Sequence, residues 1–93
     1  MKLNVYEIYK AMFKALKKVY TGDIYLVLES IHIVLDDTEP NEIMALEPYA
    51  YTVYGRYGRE GENEFNTRFS QFFQAEYTPE QIEVLFYEYL MKK

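Results

Sequence analysis

Apolar residues recur at three- and four-residue spacing through the first twenty residues. The stripe that they form consists of Val5, Ile8, Tyr9, Met12, Leu16 and Val19. At about 100° per residue, these positions fall on one side of a helix. The opposite side carries Lys10, Lys14, Lys17 and Lys18. Because Gly22 follows as a natural stop, the pattern predicts an amphipathic helix over 3–20.

The next apolar series also repeats with a helical period. Its members are Ile24, Val27, Leu28, Ile31, Val34 and Leu35. Asp23 precedes them and is suited to accept hydrogen bonds from the free amide groups of a first helical turn. A strand would place Ser30 and His32 on one face and Glu29 on the other, so neither face would be uniformly apolar. We therefore favour a helix over 24–35, while the density of β-branched residues keeps a strand as the alternative.

Residues 40–57 allow two interpretations. Pro40 suits the first turn of a helix, and Pro48 must then break it, which favours two short helical pieces. The alternative is a strand over 49–54, because tyrosine, threonine and valine favour pleated surfaces. The glycines that follow, separated by charged residues, predict a loop. They are Gly55, Gly58 and Gly61.

The C-terminal third of the chain is typical of two helices. The first, over 64–76, is marked by Phe65, Phe69, Phe72 and Phe73. For the second, Thr78 and Gln81 have the spacing of a capping box, with Pro79 at the first helical position. A final helix is therefore expected over 79–92.

Together these elements predict an all-α fold in a single domain over residues 1–93. We expect a compact bundle of four to five short helices, among them those over 3–20, 24–35, 64–76 and 79–92. The alternative is an α+β fold with strands near 49–54 and, as a further option, over 24–35.

Composition narrows the functional classes. The 93 residues include no cysteine and one histidine, which excludes thiolate chemistry and leaves little for a transition-metal site. Hydrophobic residues make up 49%, which argues against intrinsic disorder. No apolar run reaches the roughly 18 residues of a membrane helix, and lysines interrupt the first segment, unlike a signal peptide. We expect a soluble, cytoplasmic protein without a membrane partner.

The net charge of −5 is unevenly distributed. Residues 1–22 hold five lysines and one glutamate, whereas residues 23–91 hold fourteen acidic residues and three arginines. A basic first helix is therefore attached to a strongly acidic body. We expect the lysines to balance that body within the molecule, so direct nucleic-acid binding is not the favoured interpretation.

No constellation of residues supports catalysis. Ser30 and His32 are two positions apart and point to different sides of a helix, so they cannot form a local triad. The clustered carboxylates lack the spacing of a calcium-binding loop and the cleft in which paired carboxyl groups act. We expect no catalytic residue, no metal site and no cofactor, and hence no enzyme.

The residues that suggest a contact surface are acidic and aromatic. Opposite the core side of the last helix lies a second apolar strip rimmed by acid, which indicates a docking face or self-association as a homodimer. This set is Glu80, Glu83, Val84, Tyr87, Glu88 and Met91. A second set combines glutamates with tyrosine anchors, and consists of Tyr54, Tyr57, Glu60, Glu62 and Glu64. We predict that both sets bind a protein with a basic or apolar groove.

This composition, a small acidic domain rich in tyrosine and glutamate and without catalytic motifs, resembles phage-encoded inhibitors such as anti-CRISPR proteins. It also resembles bacterial immunity proteins. The resemblance implies a non-enzymatic module that inhibits or modulates a partner, presenting acid to the basic groove of a nucleic-acid-binding protein. The alternatives are an immunity or antitoxin protein that neutralises a toxin, and a direct nucleic-acid binder that uses the N-terminal lysines.

Overall fold

A computed structural model describes residues 4–35 and 48–92. In chain order its elements are α1 (Val5–Val19), β1 (Ile24–Leu35), β2 (Pro48–Arg59), β3 (Glu62–Gln74) and α2 (Pro79–Met91). The strands form one antiparallel sheet in the order β1-β2-β3. The fold is therefore α+β, and the predicted all-α bundle is wrong. The alternative interpretation named the right class and two of the strands but missed β3.

Both predicted terminal helices are present as α1 and α2. The Asn4 side chain begins α1 by accepting a hydrogen bond from the Glu7 amide at 2.8 Å. The predicted capping box begins α2, because the Thr78 hydroxyl accepts from the Gln81 amide at 3.2 Å. The Thr78 amide in turn donates to the Gln81 side chain at 2.8 Å. Within the described residues, neither helix is long and apolar enough to cross a bilayer.

The second predicted helix is strand β1, so Asp23 caps no helix. Its apolar period looks helical because the strand contains a β-bulge, in which pairing with β2 skips one residue between Leu28 and Ser30. The extra residue is Glu29, which therefore lies on the same side as Ser30. The bulge leaves an interval of three between the inward-facing Leu28 and Ile31, which is also the spacing of a helix.

The chain from Pro48 onward is strand β2, so the predicted helical piece up to residue 57 is wrong. The predicted helix start at Pro40 lies outside the described residues. Of the three glycines predicted to form a loop, Gly55 and Gly58 lie inside β2, and Gly61 lies in the turn to β3 with φ of +82°.

Gly55 and Gly58 make room for groups that approach β2 closely. A Cβ at Gly55 would lie 2.3 Å from the carbonyl oxygen of Val27. A Cβ at Gly58 would lie 2.6 Å from the hydroxyl oxygen of Tyr25, whose ring crosses the strand there. The absence of a side chain at both positions is therefore a packing requirement of the sheet.

The predicted helix over 64–76 is strand β3, in which burial alternates along the chain. Phe69 and Phe73 are 5% and 0% exposed, whereas Phe72 is 52% exposed on the opposite face. A spacing of four residues is even, so Phe65, Phe69 and Phe73 share one side of a strand as readily as one side of a helix. That ambiguity is the reason why the helix prediction failed.

Both helices pack on one face of the sheet. Phe86 of α2 lies over Phe69 and Tyr57, with ring centroids 5.2 and 6.4 Å apart. Tyr20, just after α1, meets the Phe65 ring at 4.8 Å. The buried core that joins the two layers includes Ile8, Met12, Leu16, Leu26, Val53, Tyr57, Phe73, Ile82 and Phe86.

Tyr57 lies at the centre of this aromatic cluster and is 1% exposed. Burial raises the pKa of its hydroxyl far above the ordinary value of 10.0, and a hydrogen bond with Tyr20 raises it further. The hydroxyl therefore stays uncharged at alkaline pH values at which an ordinary tyrosine ionises.

Candidate interaction surfaces

The face of the sheet opposite the helices, here called the open face, has no described element packed against it. The pairing register and strand alternation place an aromatic and basic group of side chains on it. The group consists of Tyr25, His32, Tyr54, Arg56, Arg68 and Phe72. The three strands that form this face are 12, 12 and 13 residues long.

Two arginines and one glutamate form the centre of the open face. Arg56 and Arg68 are direct cross-strand partners, an arrangement in which like charges repel. The bulge in β1 turns Glu29 onto the same face, where its one carboxylate contacts both arginines. Its carboxylate accepts a hydrogen bond from Arg68 at 3.1 Å and lies 3.6 Å from Arg56 Nε. The Arg68 side chain is 78% exposed, so its other donors face solvent.

Aromatic rings flank this charged centre. The His32 and Tyr54 rings are in contact, with centroids 4.9 Å apart. Phe72 lies diagonally across from Tyr54, because Thr52 is the cross-strand partner of Phe72. Arginine beside exposed aromatic rings is the composition that is enriched at binding hot spots. Of this group, the sequence analysis assigned only Tyr54 to the partner-binding set.

The second surface is the outer side of α2. We define the α2 strip as Glu80, Val84, Tyr87, Glu88 and Met91. Val84 and Met91 are 53% and 59% exposed, whereas the core side of the helix, represented by Ile82 and Phe86, is fully buried. Glu80 and Glu88 are exposed and form no ion pair with any described residue. The strip therefore presents apolar groups between unpaired carboxylates.

A groove of about 390 Å³ lies along one side of the α2 strip. Tyr77 and Leu85 form its apolar wall, and Val84 connects it to the strip. The groove gives the strip a concave border in which an apolar side chain of a partner can be buried.

Glu83, predicted together with these residues, turns toward α1 instead. It forms an ion pair with Lys18, and together with Glu80 it lines a cleft between the helices that also holds Lys10 and Lys14. The basic stripe of α1 therefore lies beside acidic residues of α2. This juxtaposition supports the expectation that the lysines balance the acidic body within the molecule.

The acidic residues of the β2–β3 hairpin form a third group at one end of the open face, where Glu60 and Glu62 line a cavity together with Tyr25 and Arg56. Glu60, Glu62 and Glu64 are exposed there and line cavities that the α2 strip does not share. Arg59 pairs with Glu62 and also donates to the Thr21 carbonyl oxygen at 2.8 Å, which ties the hairpin to the α1–β1 connection. The hairpin thus keeps two carboxylates that form no ion pair among the described residues.

The predicted contact residues are therefore dispersed over three surfaces. One of the predicted residues, Tyr57, is buried and cannot contact a partner. Tyr54 belongs to the open face and is 38% exposed. Tyr57 lies in the core, so we remove it from the contact set. Within residues 4–35 and 48–92, no three histidine or acidic side chains converge in an arrangement that would hold a metal ion.

Comparisons with protein-family models, with curated proteins and with solved structures found no match.

Proposed function

We propose that this protein is a non-enzymatic binding module that inhibits or modulates a partner protein through the α2 strip. The observation that carries the proposal is the half-exposed pair Val84 and Met91, set between the carboxylates of Glu80 and Glu88, which form no ion pair with any residue that the structure describes. Such a strip fits a surface that is apolar at its centre and basic at its rim.

The spacing of the strip supports docking as a helix. Val84, Tyr87 and Met91 are separated by three and four residues, which is the anchor pattern of a helix bound in an apolar groove. Burial of one valine or methionine side chain contributes about 1.5–3 kcal/mol. The carboxylates add attraction to a basic partner, mainly by speeding the encounter, and salt weakens this contribution.

The hairpin glutamates belong to the same proposal as a second acidic surface. Glu60 and Glu64 are exposed without an ion pair among the described residues, so they are suited to imitate phosphates in the basic groove of a nucleic-acid-binding protein. An immunity protein that covers a toxic enzyme would use the same physics. The cytoplasm is the compartment proposed for this activity.

The test compares the proteins that the immobilised chain retains from host lysate with those that two variants retain. Val84→Ser combined with Glu88→Lys removes an apolar anchor and reverses a charge at exposed positions. Val5→Ser is the matched control, because Val5 is an equally exposed valine on α1. We expect a partner that binds wild type and the control, and that loses at least about tenfold in affinity for the strip variant.

Salt dependence gives the second measurement on the partner so identified. Its affinity is expected to fall between low and high salt, and to fall less for Glu88→Lys than for wild type. A partner that binds the strip variant as tightly as wild type contradicts the use of α2. A salt-independent affinity contradicts the acidic mechanism.

A further inference from the structure

We propose that the open face of the sheet is a docking site for the α2 strip of a second copy of this chain. The inference rests on the proposed function, because it identifies one partner surface for that strip. It is carried by two faces that no described element covers and that complement each other in charge and in apolar character.

Among residues 4–35 and 48–92, no second layer packs on the open face. Antiparallel sheets commonly leave one face to solvent, but that face is then mainly polar. Here Tyr54 and Phe72 are 38% and 52% exposed. A helix from another copy would supply such a layer at the roughly 10 Å separation of packed layers.

The α2 helix is apolar on both of its sides. Phe86 faces the sheet of its own chain, whereas Val84 lies on the opposite side of the same helix. A helix with two apolar sides is usually buried on both. From Val84 to Met91 the strip is about 10 Å long, close to the width of three paired strands.

The charges of the two faces are opposite in sign. At the centre of the open face, Arg56 and Arg68 share one carboxylate, that of Glu29, so this group of three carries one positive charge, while Glu60 and Glu62 lie at the hairpin end beside Arg56. The strip offers the carboxylate of Glu88. An arginine that is 78% exposed can therefore keep its bond to Glu29 and still donate to a carboxylate of the second copy.

The two faces lie on opposite sides of the molecule, so the contact is heterologous. When the strip of one copy covers the sheet of the next, one sheet and one strip stay free at the ends. The assembly can therefore grow as a stack beyond the dimer.

The experiment uses two variants that each disable one face. Phe72→Asp disables the open face, and Val84→Asp disables the strip. Val5→Asp is the matched control on α1, and circular dichroism checks that each variant is folded. In sedimentation velocity up to about 1 mM, wild type and the control are expected to grow with concentration, while each face variant alone stays a monomer.

The decisive sample is an equimolar mixture of the two face variants. The intact strip of Phe72→Asp should dock on the intact sheet of Val84→Asp, and the mixture should stop at a heterodimer. In addition, Arg68→Glu and Glu88→Lys should each weaken association at least tenfold, and combining them in one chain should restore it.

Three results would overturn the inference. They are a wild type that remains a monomer throughout, a mixture without heterodimer, or association that Val84→Asp leaves intact, which would indicate a sheet-to-sheet contact. Loss of a lysate partner by the strip variant alongside a monomeric wild type would leave the proposed function standing. If that variant instead retains every lysate partner while the mixture forms the heterodimer, the proposed function is contradicted and the self-association is supported.

Discussion

Two glycines in β2 show how closely neighbouring groups approach this strand. We predict that Gly55→Ala lowers the free energy of unfolding by about 3 kcal/mol, because the added methyl group would clash with backbone as well as with an aromatic ring. The added methyl would lie 2.3 Å from the Val27 carbonyl oxygen and 2.8 Å from the Phe69 ring. Urea unfolding followed by circular dichroism measures the loss.

Gly61→Ala is the control for that measurement. Nothing lies within 4 Å of its added Cβ, and its φ of +82° makes backbone strain the main cost, about 1–2 kcal/mol. A loss at Gly55 no larger than the loss at Gly61 would contradict the steric explanation.

The buried hydroxyl of Tyr57 makes stability depend on alkaline pH. The folded chain keeps this proton, because the pKa of Tyr57 is raised well above 10.0, whereas the unfolded chain releases it near that value. We therefore predict that the free energy of unfolding falls as the pH rises above about 10, by up to about 1.4 kcal/mol per pH unit.

Tyr57→Phe should be less stable near neutral pH but should show a shallower fall at alkaline pH. Urea unfolding at a series of pH values measures both slopes. Tyr6→Phe, at a position that is 65% exposed, should keep the wild-type slope. Parallel curves for wild type and Tyr57→Phe would show that this proton is not linked to folding.

At the scale of elements, β3 places two neighbouring phenylalanines in opposite environments, one buried and one exposed. We predict that Phe73→Ala lowers the free energy of unfolding by about 3–5 kcal/mol, since Phe73 is fully buried. Phe72→Ala should cost less than about 1 kcal/mol, because its ring is half exposed on the open face. Thermal and urea unfolding of both variants check the contrast. Similar losses would indicate a helical arrangement in which the two rings share one side.

The helices could be predicted because their signals are local. An apolar period of 3.6 residues and the reciprocal bonds of Thr78 and Gln81 are complete within one segment of chain. The strands could not be predicted with the same rules, because the bulge in β1 and the four-residue spacing in β3 both imitate a helix. Polar residues at alternate positions from Asn66 to Ser70 were the available sign of a strand in β3.

The α2 strip and the open face also differ in how far they could be predicted from the sequence. The α2 strip lies on one helix, so its residues could be grouped from their spacing. The centre of the open face takes Glu29, Arg56 and Arg68 from three strands, and only the pairing register brings them together. Tyr57 was misassigned because strand alternation, which turns it inward, was missing from the prediction.

At the scale of the whole molecule, folding into two layers redistributes the charge. The basic first segment and the acidic body are separate along the chain but lie side by side in the structure. The basic first helix is tied to the acidic last helix through Lys18 and Glu83. The acidic body in turn contributes two arginines to the open face. Charge is therefore arranged by face, and at physiological salt each face acts mainly on what lies within about 8 Å of it. A partner meets a local charge that the total of −5 does not describe.

The bulge at Glu29 has a consequence for how this chain tolerates changes in length. Removing Glu29 would restore regular alternation, since Leu28 and Ile31 would still face the helices and Ser30 would still face outward. The strand therefore does not need this residue, whereas Arg56 and Arg68 would lose the carboxylate between them. Glu29 is thus an extra residue that the pairing of β1 with β2 accommodates and that the two arginines of the open face contact.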